Sequence, residues 1–348
     1  MSKLPVAILG ATGLVGQRLI QLLAEHPWFE ISALAASDNS AGKKYGDAVN
    51  WHLPIAIPEV VRGMIVKPCE PPMDAALIFS SLPSDVAGAV EENFANAGYL
   101  VSSNASNHRM DADVPLVIPE VNWQHLDLVR VQQARRKNKG AIVCNPNCST
   151  IHITLALKPL DDAFGLRRVI VTTMQALSGA GFPGVASLDV IDNVIPFIGG
   201  EEAKLETEPL KILGKLANDR VSNANIRISA SCNRVATQDG HLEAASVEFV
   251  NKPQLDQLRR TMIEFTAEPQ ALGLPSAPAH PIVVRDEADR PQPRLDRDEG
   301  RGMASVVGRI RACNVLDYKF LVLGHNTIRG AAGGTLLNAE LLVAKKFV

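Results

Sequence analysis

Val6-Ala7-Ile8-Leu9-Gly10-Ala11-Thr12-Gly13-Leu14-Val15-Gly16 is the stretch on which the fold turns. A short apolar run ends at Gly10, and glycines recur at 13 and 16. Leu14, Val15, Leu19, Leu22 and Leu23 then follow at helical spacing as far as Pro27. The pattern predicts a buried strand, a tight turn and an amphipathic helix. Glycines in such a turn let backbone N–H groups approach a diphosphate at the positive end of the helix. The plainer alternative is an ordinary strand-to-helix turn. The strand before and the amphipathic helix after favour dinucleotide binding.

Outward from there, 31–36, 75–79, 99–102 and 141–144 read as further short strands, and 86–97 as a helix closed by Gly98. Strands alternating with helices predict a parallel, doubly wound sheet with right-handed crossovers. Beyond Cys148 the texture changes. Segments 168–175, 226–231, 241–250, 305–311 and 319–323 alternate and predict a mixed or antiparallel sheet in a second, α+β domain. Charge, proline and glycine crowd 286–302, which reads as a surface loop, and 331–347 reads as an alanine- and leucine-rich helix. The expected division is 1–147 with 327–348 for the dinucleotide-binding domain, and 148–326 for the catalytic and oligomerisation domain.

At 348 residues the chain exceeds one ordinary core, which fits two domains. A net charge of −2 with scattered signs gives no face for nucleic acid or membrane. Aromatic residues at 5% are too few for a base-stacking platform. Five cysteines form no disulfide framework, and they do not combine with the eight histidines at metal-ligand spacing, so no metal site is expected. With no signal peptide and no spanning run, the expected location is the cytoplasm.

Asn145-Pro146-Asn147-Cys148-Ser149-Thr150 places a cysteine where a strand ends and a helix begins. Unpaired N–H groups there favour thiolate and can stabilise an oxyanion. Arg234 and His241 bracket an Asp-Gly turn, an arginine suited to a carboxylate and a histidine suited to proton transfer. Glu201 and Lys204, three apart, share a helix face and could read an ammonium and a phosphate. Arg109 is a further candidate anion binder. After the second strand, Ser37, Ser40, Lys43 and Lys44 suit a 2′-phosphate, whereas Asp38 opposes one.

Together these motifs resemble the aspartate-β-semialdehyde dehydrogenase family in its archaeal and fungal-type branch. The resemblance covers Gly10–Gly16, 40–45, 145–150, 173–181, 200–204, 231–241 and 324–334. It implies a Rossmann-like first domain and a glyceraldehyde-3-phosphate-dehydrogenase-like whole. It implies reductive dephosphorylation of L-aspartyl-4-phosphate to L-aspartate 4-semialdehyde, on the way to lysine, threonine and methionine. Cys148 is then the nucleophile, His241 the acid–base that takes the thiol proton and returns one, and Gln175 and Asn147 their catalytic neighbours. Arg109, Glu201, Lys204, Arg234, Ser178 and Gly179 would hold substrate and phosphate. NADP would lie against Gly10, Thr12, Gly13, Leu14, Val15, Gly16, Ser37, Ser40, Lys43, Ser81, Leu82, Asn326 and Thr327. The branch often carries arginine where this chain has Asn39, and with Asp38 beside it NAD stays open. A homodimer or homotetramer is implied, with 183–198 apolar enough for an interface. The alternatives are an acyl-CoA reductase such as a malonyl-CoA reductase, an N-acetyl-glutamyl-phosphate reductase, and a non-enzymatic NADP(H) sensor.

Overall fold

The structure, a computed structural model, describes residues 3–348. β1 (Leu4–Leu9) belongs to a five-stranded sheet with β2 (Phe29–Ala35), β3 (Leu77–Ser80), β4 (Leu100–Ser103) and β5 (Ala141–Cys144). The order is β2-β1-β3-β4-β5, and every pairing is parallel. The strands read as continuous apolar runs because helices cover both faces. Among those helices are α1 (Leu14–Leu23) and α2 (Ser84–Asn96).

The nucleophile motif starts α3 (Cys148–Phe164), which is buried along most of its length against the second sheet. That sheet runs β11 (Ile282–Arg285), β12 (Ser305–Ala312), β13 (Tyr318–Gly324), β10 (His241–Phe249), β6 (Leu166–Gln175), β9 (Arg227–Arg234). It is mixed: antiparallel at its centre, parallel at β11–β12 and β6–β9. A small hairpin, β7 (Lys215–Ala217) and β8 (Arg220–Ser222), follows α4 (Glu201–Ile212). Neither that hairpin nor β11 was expected; three or four residues are too few to show an alternation.

α5 (Gly333–Ala344) returns to the first sheet. Its Leu336, Leu337 and Leu341 share a core with Val6, Ile8 and Phe79, and Ser102 Oγ donates to Thr335 O (3.1 Å). A π-helical turn, Ile328–Ala332, leads into it.

The 286–302 segment is not the plain surface loop its composition suggested. Asp296 within it is 1% exposed and accepts from Arg285, Arg290 and the Gln292 N–H. Residues that look solvated in sequence pair with one another, and that pairing lets one carboxylate go inside. Among the described residues no helix is long and apolar enough to cross a membrane.

Candidate active site

The glycine turn is built for close approach. Gly10 has φ +74°, and a Cβ on it would lie 2.7 Å from Ser81 O. A Cβ on Gly16 would lie 2.3 Å from Gly10 O, so Gly16 serves helix-to-strand packing rather than ligand contact. Ser81 Oγ donates to Leu9 O (2.8 Å) and fixes the neighbouring loop. A cavity of about 650 Å³ opens here, lined by Gly10, Thr12, Gly13, Ser37, Asp38, Ser81 and Leu82 among others. Ser40 and Lys43 stand in the turn beyond its lining, with Lys43 Nζ donating to Asn39 O (2.7 Å).

A second cavity, about 550 Å³, contains Asn147, Cys148, Ser178, Gly179, Glu201, Lys204, Arg109, Arg234, Asn326 and Thr327. Leu14 and Val15, expected at the cofactor turn, line this cavity instead. Leu82 and Pro83 line both, so the two cavities meet there.

Asn147 caps α3: its Oδ1 accepts from the N–H of Ser149 (3.0 Å) and Thr150 (3.2 Å). That cap places Cys148 first in the helix. Its Sγ lies 3.1 Å from His241 Nε2. The Ala176 N–H donates to His241 Nδ1 (3.0 Å). A neutral ring held this way carries its proton on Nε2, toward the sulfur.

Helix position alone predicts a thiolate, but burial outweighs it. The Cys148 thiol is pushed up to about 12, first by burial and then by Glu201 and Glu243, against Arg109 and the Ser149 N–H. His241 is pushed down to about 3 by burial, with Arg234 and His325 adding to it. Both shifts run against an ion pair and against the thiolate that helix position alone suggests.

Gln175 ends β6 opposite Arg234 of β9. Its Nε2 donates to Glu201 Oε2 (3.3 Å), as does Asn147 Nδ2 (2.8 Å), and Lys204 Nζ donates to Oε1 (2.9 Å). Burial pushes the Glu201 carboxyl up, but Lys204 and these hydrogen bonds outweigh it and hold it below the usual range. Gln175 thus touches Glu201 rather than His241. Arg234 Nη1 donates to Ala176 O (2.7 Å). A Cβ on Gly179 would lie 2.9 Å from Arg234 Nη1 and 3.0 Å from His241 Cε1, so only glycine lets that loop lie over both. Asn326 ties the site together, donating to Ser178 Oγ and accepting from the Gly240 N–H (each 2.8 Å).

Two groups escaped the sequence reading. Glu208, 2% exposed, accepts from Arg109 Nη1 (2.9 Å) and from the Asn147 N–H (2.8 Å). Lys211 Nζ donates to the carbonyls of Arg109, Asp111 and Val114 and clamps the Arg109 loop. Both lie on the face of α4 that carries Glu201 and Lys204, at 201, 204, 208 and 211, and that spacing was the available signal.

Cys148 shares its cavity with Leu82 and Pro83, the residues at which the glycine-turn cavity joins it. That is the layout of a two-domain dehydrogenase with a cysteine in its cleft. The family model "Semialdehyde dehydrogenase, NAD binding domain" matches residues 5–129, and "Semialdehyde dehydrogenase, dimerisation domain" matches 157–329. The chain belongs to the aspartate-semialdehyde dehydrogenase family. It is 53% identical over 344 residues to the aspartate-semialdehyde dehydrogenase of Archaeoglobus fulgidus, covering 99% of each chain. It is 47% identical over 357 residues to that of Saccharomyces cerevisiae, covering 98% of each. Among solved structures, the Candida albicans aspartate semialdehyde dehydrogenase with NADP superposes with a TM-score of 0.93 at 45% identity over 100% of both chains. The archaeal and fungal resemblance holds on both sides.

Proposed function

We propose that this protein carries out the reversible, NADP-dependent reductive dephosphorylation of L-aspartyl-4-phosphate to L-aspartate 4-semialdehyde. The observation that carries the reading is the Cys148–His241 pair at 3.1 Å inside a cavity that also holds Arg234, Glu201 and Lys204. Arg234 suits the α-carboxylate, Glu201 the α-ammonium, and Arg109 with Lys204 the phosphate. Glu201 argues against an acyl-CoA such as malonyl-CoA, which has no ammonium to offer it.

The sulfur attacks the acyl carbon, the carbon–oxygen bond to phosphate breaks, and a thioester remains on Cys148. The thiol proton ends on the departing phosphate, which balances the step. To take that proton on the way, His241 must shift its own from Nε2 to Nδ1 and give up the Ala176 N–H. In the geometry it holds, Nε2–H instead steadies the sulfur and then donates to the thiohemiacetal oxyanion. The Cys148 N–H is the second donor, since those of Ser149 and Thr150 face Asn147 and that of Asn147 faces Glu208. Collapse frees the aldehyde and the Cys148 thiolate, which takes one proton from solvent to restore the thiol.

The glycine-turn cavity fits a dinucleotide, since side chains at Gly10 or Gly16 would collide with the backbone that forms it. Gly10, Thr12, Gly13, Ser81 and Leu82 would hold it, with Ser37 at the ribose end. When bound, NADPH would supply the hydride that turns the thioester into the thiohemiacetal, and NADP would accept it in the reverse direction. Asp38 lines the same end. Asp38→Asn is expected to shift preference toward NADP over NAD by about ten-fold in kcat/KM, as repulsion of a 2′-phosphate is removed; assays with both cofactors check this. The domain division proposed is 1–147 with 327–348, against 148–326.

A homodimer is the assembly we favour. Leu188 (90% exposed), Ile191, Val194 and Phe197 stand out of the 183–198 segment. Sedimentation at micromolar concentration is expected to give twice the chain mass. The functional reading is tested by assaying aspartate semialdehyde and phosphate with NADP and then NAD; no phosphate-dependent turnover with either would overturn it.

A further inference from the structure

Glu208 spans two parts of the site that come from different segments of the chain. Its Oε1 accepts from Arg109 Nη1 and its Oε2 from the Asn147 backbone N–H, at 2.9 and 2.8 Å. Arg109 is further held by donation from Nη2 to Asn104 O (2.7 Å), and its Nε is buried with no hydrogen-bond partner. Asn147 in turn caps α3 and so sets where Cys148 stands. We propose that Glu208 is a positioning residue that joins the phosphate-binding guanidinium to the nucleophile's turn, so that the two are aligned as one unit. This rests on the phosphate role assigned to Arg109 above.

The chemistry of the bridge selects a carboxylate. Two donors, one charged and one backbone, converge on one side chain, and only a carboxylate offers both an acceptor. A glutamine has one oxygen and one NH₂. Its oxygen is drawn to the guanidinium, and its NH₂ then faces the Asn147 N–H. Both ends of the bridge cannot survive, and a buried donor left without an acceptor is costly. Charge and alignment act in opposite directions at Arg109. Removing an anion beside the guanidinium strengthens its field toward phosphate and would lower KM. Losing its aim spoils a capture that depends on the planar fork and raises KM.

The test is steady-state kinetics in the phosphorylating direction on the full-length enzyme, comparing Glu208→Gln, Glu208→Asp and Arg109→Lys. The expected result for Glu208→Gln is a rise in KM for phosphate and a fall in kcat at saturating phosphate, each about ten-fold. KM for aspartate semialdehyde should stay within about two-fold. Glu208→Asp keeps two acceptors at shorter reach and should recover part of both parameters. It also carries the test if the glutamine variant does not fold. A fall in KM for phosphate, a change in only one parameter, or no change in either overturns the coupling. Arg109→Lys reads the underlying assignment separately. An unchanged KM for phosphate there overturns the role of Arg109 itself, whereas a raised KM with Glu208→Gln unaffected overturns the bridge alone.

Discussion

Cys148→Ser is expected to lose at least about 10⁴-fold in kcat, the largest effect of any single change in this protein. The substitution keeps size and hydrogen bonding but replaces sulfur with an oxygen that ionises far less readily. Sulfur already has little help at rest, because burial pushes its thiol up to about 12. A hydroxyl at the same place has no ionisation within reach, and a neutral His241 with its proton on Nε2 cannot draw one out. Steady-state assays give the loss, and mass spectrometry after iodoacetamide should show the Cys148 adduct missing in the variant. The same reagent reads the resting state of the wild type. Only thiolate reacts, so the Cys148 rate should keep rising about ten-fold per pH unit from 7 to 10, with no plateau near neutrality. A plateau below pH 8 would mean that the helix terminus, not burial, governs the thiol.

His241→Ala is expected to lower kcat by about 10³-fold while KM for phosphate changes little. Among the described residues the ring's Nε2–H is the side-chain group hydrogen-bonded to the sulfur, at 3.1 Å. On the proposed assignment phosphate is held by Arg109 and Lys204, whose hydrogen bonds go to Glu208, Asn104 and Glu201 and not to the ring. Burial has a further consequence for pH. His241, pushed down to about 3, stays neutral in the fold yet takes up a proton in the unfolded chain below about pH 6.5. Its contribution therefore favours unfolding as pH falls from about 6.5 toward 3. Buried His125 and His325, each pushed down to about 4 chiefly by burial, act in the same direction. The thermal midpoint of the wild type should fall steadily below pH 6.

The parallel sheet was legible because its signals are local. Val6–Leu9 and Ala141–Cys144 are short apolar runs flanked by turn residues, and each forms a strand. Cys148 and His241 were legible through their neighbours, Asn147 and the Asp-Gly turn. Glu208 was not, because a glutamate on a helix reads as solvated until its partners, 99 and 61 residues away, are known. Asp296 was lost in a loop of charges for the same reason. The state of the thiol was also hidden: helix position is local, whereas the burial that overrides it depends on the packing of both sheets.

The chain passes between its two sheets at 145–147, entering α3, and again at 325–332, entering α5. These two passages touch: a Cβ on Gly330 would lie 2.8 Å from Cys148 Cβ. A side chain at 330 would therefore press on the turn that carries the sulfur, so the return passage at 325–332 sets how much room Cys148 has.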